Sequence, residues 1–360
     1  MKIGILTYYG VHNHGAVLQA NALRTILAAK GHDAEFLTFN RNYDFISQEQ
    51  SKKYKISLAS IGFYFKYMAE KGVGNILYNI KKNKVLNQYR AAMIPFAGRY
   101  SDYDGDMVII GSDEVFSLEI GINPSLFGHA LKCKNAISYA GSFGSTTMQQ
   151  VKELGCLELI ASGLQRMSAV SVRDGNSKEI AEALAQKEAT LVCDPVILYG
   201  YEKEMTEFVP TEKDYIVIYS YDKNMNQPEQ IEAIRNFAKK NGCKVYSVGY
   251  HHKWCDKNIA PTPNELLGWI KNAKYVVTDT FHGSVISIIC NTPMLVKLSG
   301  NQNKLKFLLT EYGLTGRIME DYTQLDEVAA NSVDFDHVNA VISERRQASM
   351  NFLEAALKTN

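Results

Sequence analysis

The stretch Lys274–Ser299, KYVVTDTFHGSVISIICNTPMLVKLS, constrains the fold more than any other part of the chain. It opens as a short apolar strand, Tyr275–Val277, and turns through Thr278–Ser284. It then runs into an apolar helix, Val285–Cys290, and after Asn291 and Pro293 begins a second strand, Met294–Leu298. A strand that breaks into a helix through small and polar residues leaves backbone N–H groups pointing out of the sheet's carboxyl edge. Orphan amides and the helix dipole both favour negative charge there, so the junction is suited to anions. His282 stands in it, with the hydroxyls of Thr280 and Ser284 and the amide of Gly283 alongside. An imidazole in such company reads as a proton-transfer group, or as a loop histidine that caps the sheet.

The same strand–helix alternation recurs from the first residues. Lys2–Tyr8 is a β-type run, HNHG (His12–Gly15) follows it, Ala16–Lys30 is helical with Gly31 as its stop, and Glu35–Asn40 resumes as a strand. Right-handed crossover makes those two strands parallel neighbours. His12–Gly15 hold the position that the histidine junction holds in the later stretch. Asn13, His14 and Gly15 are therefore placed to bind sugar hydroxyls, with His14 able to accept a proton, or to satisfy a turn. The loop carries no G-x-G-x-x-G nucleotide fingerprint.

Further strands end in polar loops at the edge where open α/β sheets bind ligands. Asp106–Ile110 exits through GSDEVF, which offers Ser112, Asp113 and Glu114; Asn135–Tyr139 exits through AGSFGS, which offers Ser142. A carboxylate such as Asp113 can serve as base toward a hydroxyl nucleophile, or can cap the next segment. Ala169–Val172 leads to Arg173, whose planar fork matches a carboxylate or phosphate, or an ion pair with Asp174 or Glu179. Asn176–Glu179 reads as a capping box for a helix to Gln186. Residues 200–213 have little periodicity and read as a linker. A second series follows: strand Tyr215–Tyr219, helix Gln227–Lys240, strand Lys244–Val248, and a helix capped by Thr262-Pro263-Asn264-Glu265. Past the histidine stretch a helix begins near Lys304, which reads as a point charge toward a phosphate or as a solvated lysine, and Asp336–Lys358 is a last long helix. His251 and His252 lack a third ligand at useful spacing, which excludes a metal site by pattern.

At 360 residues the chain is long enough for two domains with adequate cores. The reading is an α/β protein with two Rossmann-like domains facing across a cleft. The first spans 1–199 with an insertion at about 45–95, the linker 200–213 follows, the second spans 214–325, and a helical segment covers 326–360. A net charge of +1 gives no case for nucleic acid. Six cysteines without C-x-x-C or metal spacing read as reduced residues of a cytoplasmic protein. The opening MKIGILTYYG reads as a buried strand, its apolar run too short for a signal peptide. The insertion stands apart: residues 51–90 carry +8 and the rest of the chain −7. Aromatics are interleaved there, and Val73, Ile76, Leu77 and Ile80 fall at helical spacing. A basic, aromatic, amphipathic segment suits peripheral contact with the anionic inner face of a membrane, or a lipid-linked substrate; the plainer reading is a helix with solvated lysines.

HNHGAVLQANAL, VIIGSDEVF, ISYAGSFG, SVRD, CDPVIL and TDTFHGSVISIICNTP, in that order from His12 to Pro293, resemble the polysaccharide pyruvyl transferase family. The resemblance implies a glycosyltransferase-B-like (GT-B-like) fold. It also implies transfer of the carboxyvinyl group of phosphoenolpyruvate to a sugar of a surface polysaccharide or its lipid-linked precursor, usually as a ketal, with release of phosphate and no metal or redox cofactor. The family's cleft histidine maps onto His282. An arginine in members reading R-F-H-G maps onto Thr280, a departure for which Arg173 or Lys304 could compensate. A glycosyltransferase using a sugar nucleotide, and a non-catalytic glycan- or lipid-carrier-binding subunit, are the alternative readings.

Overall fold

The structure, a computed structural model, describes residues 1–39, 61–119, 121–298 and 302–358. Two parallel sheets dominate it. The first holds β1 (Lys2–Leu6), β2 (Asp33–Thr38), β3 (Phe96–Arg99), β4 (Met107–Ile110) and β5 (Ala136–Ser138) in the order β3-β2-β1-β4-β5. A short pair, β6 (Ser171–Val172) and β7 (Thr190–Leu191), continues from its edge through bridges Ile137–Ala169 and Gly141–Val172. The second sheet holds β8 (Tyr215–Tyr219), β9 (Lys244–Val248), β10 (Lys257–Ile259), β11 (Tyr275–Thr278), β12 (Met294–Lys297) and β13 (Ile318–Met319) in the order β10-β9-β8-β11-β12-β13. Every residue of β4 and β8 is buried. A parallel sheet covered by helices on both faces needs such unbroken apolar runs rather than alternating ones.

In each sheet the strand order reverses at one gap, between β1 and β4 and between β8 and β11. One apolar cluster runs through both halves, from Ile3, Val17 and Tyr139 to Tyr219, Val276 and Val285. The C-terminal helix Phe335–Lys358 returns to the first half, where Ser349 Oγ accepts the Cys193 N–H at 2.8 Å and Glu354 pairs with Lys30. The stretch expected to be a featureless linker includes a short helix, Glu204–Glu207, and a fully buried Tyr201 whose hydroxyl donates to Leu18 O at 2.7 Å. The helix expected to open at Asn176–Glu179 is Gly175–Ala185, because Asp174 takes the cap and accepts the Ser177 N–H at 2.8 Å.

The insertion forms a helix, Ile61–Met93, broken at Gly72, whose φ of 74° and ψ of 160° leave the helical region. Its earlier part, 45–60, and the side chains before Gly72 lie outside the described residues. Among the described side chains, the face turned inward mixes polar groups with Leu86, which is fully buried in the apolar core. Asn75 donates to Asp222 Oδ2 at 3.1 Å, and Tyr78 donates to Ile259 O at 2.8 Å. The Lys82 ammonium stands 4.2 Å from the Tyr250 ring centre, and Arg90 donates to Val11 O at 2.9 Å. Val73, Leu77 and Ile80 point outward. No described helix is long and apolar enough to cross a membrane.

Candidate functional site

The loops leaving the two reversal points face each other across a cleft of about 580 Å³. Ligands of open α/β sheets bind at such crevices. From the first sheet come Asn13 after β1 and Asp113 and Glu114 after β4. From the second come Tyr221, Lys223 and Asn224 after β8, and Asp279–His282 after β11. Arg173 and Lys304 complete the wall.

His282 opens into this cleft at 7 % exposure, on the first turn of the helix Phe281–Cys290. Two features fix its place. Thr280 is the N-cap and accepts the Gly283 N–H at 3.0 Å, which sets the direction of the helix. The ring packs on Gly15 of the first half, where a Cβ would stand only 2.2 Å from His282 Cγ. Asn13 caps the helix His14–Ala29 in the same manner, accepting the Gly15 N–H at 2.8 Å. Two capped helix starts therefore meet at the seam. His282 Nε2 is buried without a hydrogen-bond partner among the described residues and lies 3.7 Å from Asp194 Oδ2.

Asp194 is the hub beneath the imidazole. It caps the helix Pro195–Tyr199 through Val196 N–H at 2.9 Å and accepts Arg173 Nη1 at 2.7 Å. Burial alone would raise its carboxyl, but the His282 imidazole, the Arg173 guanidinium and the Val196 amide together hold it down to about 2. Arg173 is buried and also donates to Asp113 Oδ1 at 3.1 Å. Burial opposes its charge, but Asp194, Asp113 and Glu114 outweigh that and push it above its ordinary value. Its guanidinium lies 4.3 Å from the Phe281 ring centre, and the Lys304 ammonium, paired with Glu114, lies 5.6 Å from the same ring. Thus the site keeps two cations beside the imidazole, each tied to a carboxylate.

Seven of the residues singled out in the sequence line the cleft: His282, Asp113, Asn13, Glu114, Arg173, Thr280 and Lys304. Six do not, for local reasons. His14 is fully buried, its Nε2 donating to Pro261 O at 2.9 Å across the seam. Burial and the nearby Lys82 charge hold it down to about 3, so it is a neutral packing group and not a base facing substrate. Gly15 is covered by the His282 ring. Ser112 is buried, its carbonyl accepting from Thr7 at 2.9 Å. Ser142 donates to Asp174 Oδ2 at 2.6 Å and so braces a helix cap. The Gly283 amide, expected to be open to an anion, is taken by Thr280, and Ser284 is buried one residue on.

Sequence reasoning missed Asp194, Glu119, Tyr221, Lys223, Asn224 and Asp279. Asp194 was detectable: an aspartate followed by proline, with proline at the first helical position, is an N-cap signature. Asp279, inside the key junction, accepts Asn224 Nδ2 at 2.6 Å. Burial and the Glu114 charge raise the Glu119 carboxyl above its ordinary value.

A model of the polysaccharide pyruvyl transferase family matches residues 13–297. No curated protein matches the chain. Among solved structures, the chain is similar to MnaA of S. aureus solved with UDP (12 % identity, TM-score 0.54, covering 98 % of this chain and 94 % of that one). It is similar to the UDP-GlcNAc 2-epimerase of Methanocaldococcus jannaschii in complex with UDP-GlcNAc and UDP (12 %, TM-score 0.51, 99 % of each chain). It is also similar to Os79 of O. sativa in complex with UDP (10 %, TM-score 0.54, 99 % and 100 %). At these identities the likeness is one of fold: two Rossmann-like halves about a cleft, the GT-B-like arrangement.

Proposed function

The chain belongs to the polysaccharide pyruvyl transferase family, and from that premise we propose that it moves the carboxyvinyl group of phosphoenolpyruvate onto a sugar, closing a ketal and releasing phosphate. The acceptor in this reading is a surface polysaccharide unit or its lipid-linked precursor, handled in the cytoplasm. The observation that supports it is the convergence of Arg173, Lys304 and the His282 imidazole, backed by Asp194, on one wall of the cleft. Phosphoenolpyruvate is strongly anionic and needs cations, and its vinyl carbon needs an acid.

The steps follow from that placement. Arg173 and Lys304 hold the phosphate and carboxylate. The His282 imidazolium gives its proton to the terminal vinyl carbon, with Asp194 as its counter-charge, so that the neighbouring carbon becomes electrophilic. A sugar hydroxyl adds to that carbon and its proton passes to Asp113. The carbon–oxygen bond to phosphate then breaks, phosphate leaves with the electron pair and takes up the proton held by Asp113, and a second hydroxyl adds to close the ketal, its proton returning to His282. None of these steps calls for a metal or redox group.

Purified protein incubated with phosphoenolpyruvate and sugar or lipid-linked acceptors tests the proposal through release of inorganic phosphate. His282→Ala is expected to lower the rate by about 10²- to 10⁴-fold. Absence of release with every acceptor overturns it. The UDP-bound neighbours favour one second reading, a sugar-nucleotide glycosyltransferase, and thermal protection by UDP but not by phosphoenolpyruvate would select it.

A further inference from the structure

The helix Ile61–Met93 is turned the opposite way from most surface helices. Between Gly72 and Met93 its inward face carries Asn75, Tyr78 and Lys82 beside a single core aliphatic, Leu86, while Val73, Leu77 and Ile80 stand outward at 71, 62 and 60 % exposure. Those three follow one another at helical spacing and form a single stripe. Lys81 and Lys84 continue the same face and are exposed. Burying the stripe inside would normally stabilise the protein, so an outward stripe marks a surface that is covered in use. The charge identifies the cover: the exposed face carries Lys81 and Lys84, and residues 72–93 contain no carboxylate. A second copy of the chain would bring the same cations and no counter-charge to this face. An anionic lipid surface supplies both an apolar layer for the stripe and phosphates for the lysines.

We propose that this helix face docks the protein on anionic membrane, with Val73, Leu77 and Ile80 entering the headgroup boundary and Lys81 and Lys84 on the lipid phosphates. The helix also backs onto the cleft. Asn75 holds Asp222, which accepts the His251 N–H at 3.0 Å, and Asp222 lies between the cleft residues Tyr221 and Lys223. Docking therefore sets the cleft beside the lipid surface. The inference stands on this face alone and holds whatever donor the cleft takes.

Flotation of the full chain with vesicles tests it, comparing pure phosphatidylcholine with vesicles of about one-third phosphatidylglycerol. Binding is expected only to the anionic vesicles and weakens as salt rises. Leu77→Glu with Ile80→Glu is expected to lower binding at least tenfold. Lys81→Glu with Lys84→Glu lowers it by about 25-fold or more, from roughly 1 kcal/mol per lysine. Both variants alter exposed residues, and an unchanged melting temperature shows that they are folded. Failure of the wild type to float at low salt overturns the proposal, as does floating that neither variant weakens. A wild-type dimer dissolved by Leu77→Glu and Ile80→Glu assigns the face to a second copy and also overturns it.

Discussion

Replacing Gly15 by alanine tests whether the imidazole is held in place by the opposite half of the molecule. The added Cβ would meet His282 Cγ at 2.2 Å, Cβ at 2.4 Å and Nδ1 at 2.5 Å, three atoms of one side chain. Opening the 2.2 Å contact to an ordinary carbon–carbon separation of about 3.5 Å requires a shift of roughly 1.3 Å. That shift moves the ring relative to Asp194 and Asp113. A displacement near 1 Å in a reacting group costs about 10²-fold in rate. Stability is expected to change far less. Overpacking costs about 1–3 kcal/mol, and alanine in place of a helical glycine returns about 1 kcal/mol.

The assay is phosphate release from phosphoenolpyruvate beside a thermal melt, with Gly10→Ala as control because nothing lies within 4 Å of a Cβ there. The expected result is a folded protein, melting within a few degrees of wild type, whose kcat has dropped about 100-fold. Near-normal kcat in a folded Gly15→Ala protein would refute the reasoning, since the ring would then tolerate displacement and could not be the acid.

Asp194→Asn is expected to cost about 3 kcal/mol, because it leaves the buried Arg173 with one carboxylate fewer. Its carboxyl is held down to about 2 in the folded chain, so its stabilising effect is complete above about pH 4 and fades as pH falls toward 2; urea titrations at several pH values should show that slope in the wild type and not in the variant. His14, held down to about 3 by burial, gives the unfolded chain first claim on a proton, so stability should fall as pH drops from about 6.5 toward 3, by as much as roughly 5 kcal/mol. His14→Gln should flatten that part of the profile. Glu114→Gln frees Lys304 from its pair and is expected to lower KM for phosphoenolpyruvate several-fold, while Lys304→Met raises it; no change in KM for either variant excludes Lys304 from the donor site.

Signals close in sequence were legible. The strands Tyr215–Tyr219 and Lys244–Val248 have the bounds that their apolar runs indicate, and Thr262, Pro263 and Glu265 form the capping box that their spacing predicts. Caps that compete locally were less so. Thr280 starts the helix at Phe281 rather than Val285, and in doing so uses the amide that the sequence offers to an anion. Pairings distant in sequence were not legible at all. His14 meets Pro261 O, 247 residues away, and no local pattern distinguishes a histidine buried at a seam from one facing a cleft. Arg173 lies between two acids, Asp113 and Asp194, that come from different loops. The insertion helix carries a clear 3.6-residue pattern, but the pattern gives the period and not the inward face. Around its middle the neighbours Asp222, Ile259 O and Tyr250 are polar or aromatic and draw Asn75, Tyr78 and Lys82 inward, while further along Leu86 enters the apolar core.

The seam also determines how the site is made. Asp113, Arg173 and Asp194 belong to the first half; Phe281, His282 and Lys304 belong to the second. The contacts His14–Pro261, Asp194–His282 and Glu114–Lys304 cross between them. The insertion helix ties both sides, through Arg90 to Val11 O and through Tyr78 to Ile259 O. At about 1 kcal/mol for each of the contacts His14–Pro261, Glu114–Lys304 and Tyr78–Ile259 O, and with an apolar cluster shared by both halves, parting the halves costs more than about 3 kcal/mol, an open population below roughly one in a hundred. Ligands therefore enter through the mouth of an assembled cleft, and selectivity rests on what fits between His282 and the carboxylates opposite rather than on closure around a substrate.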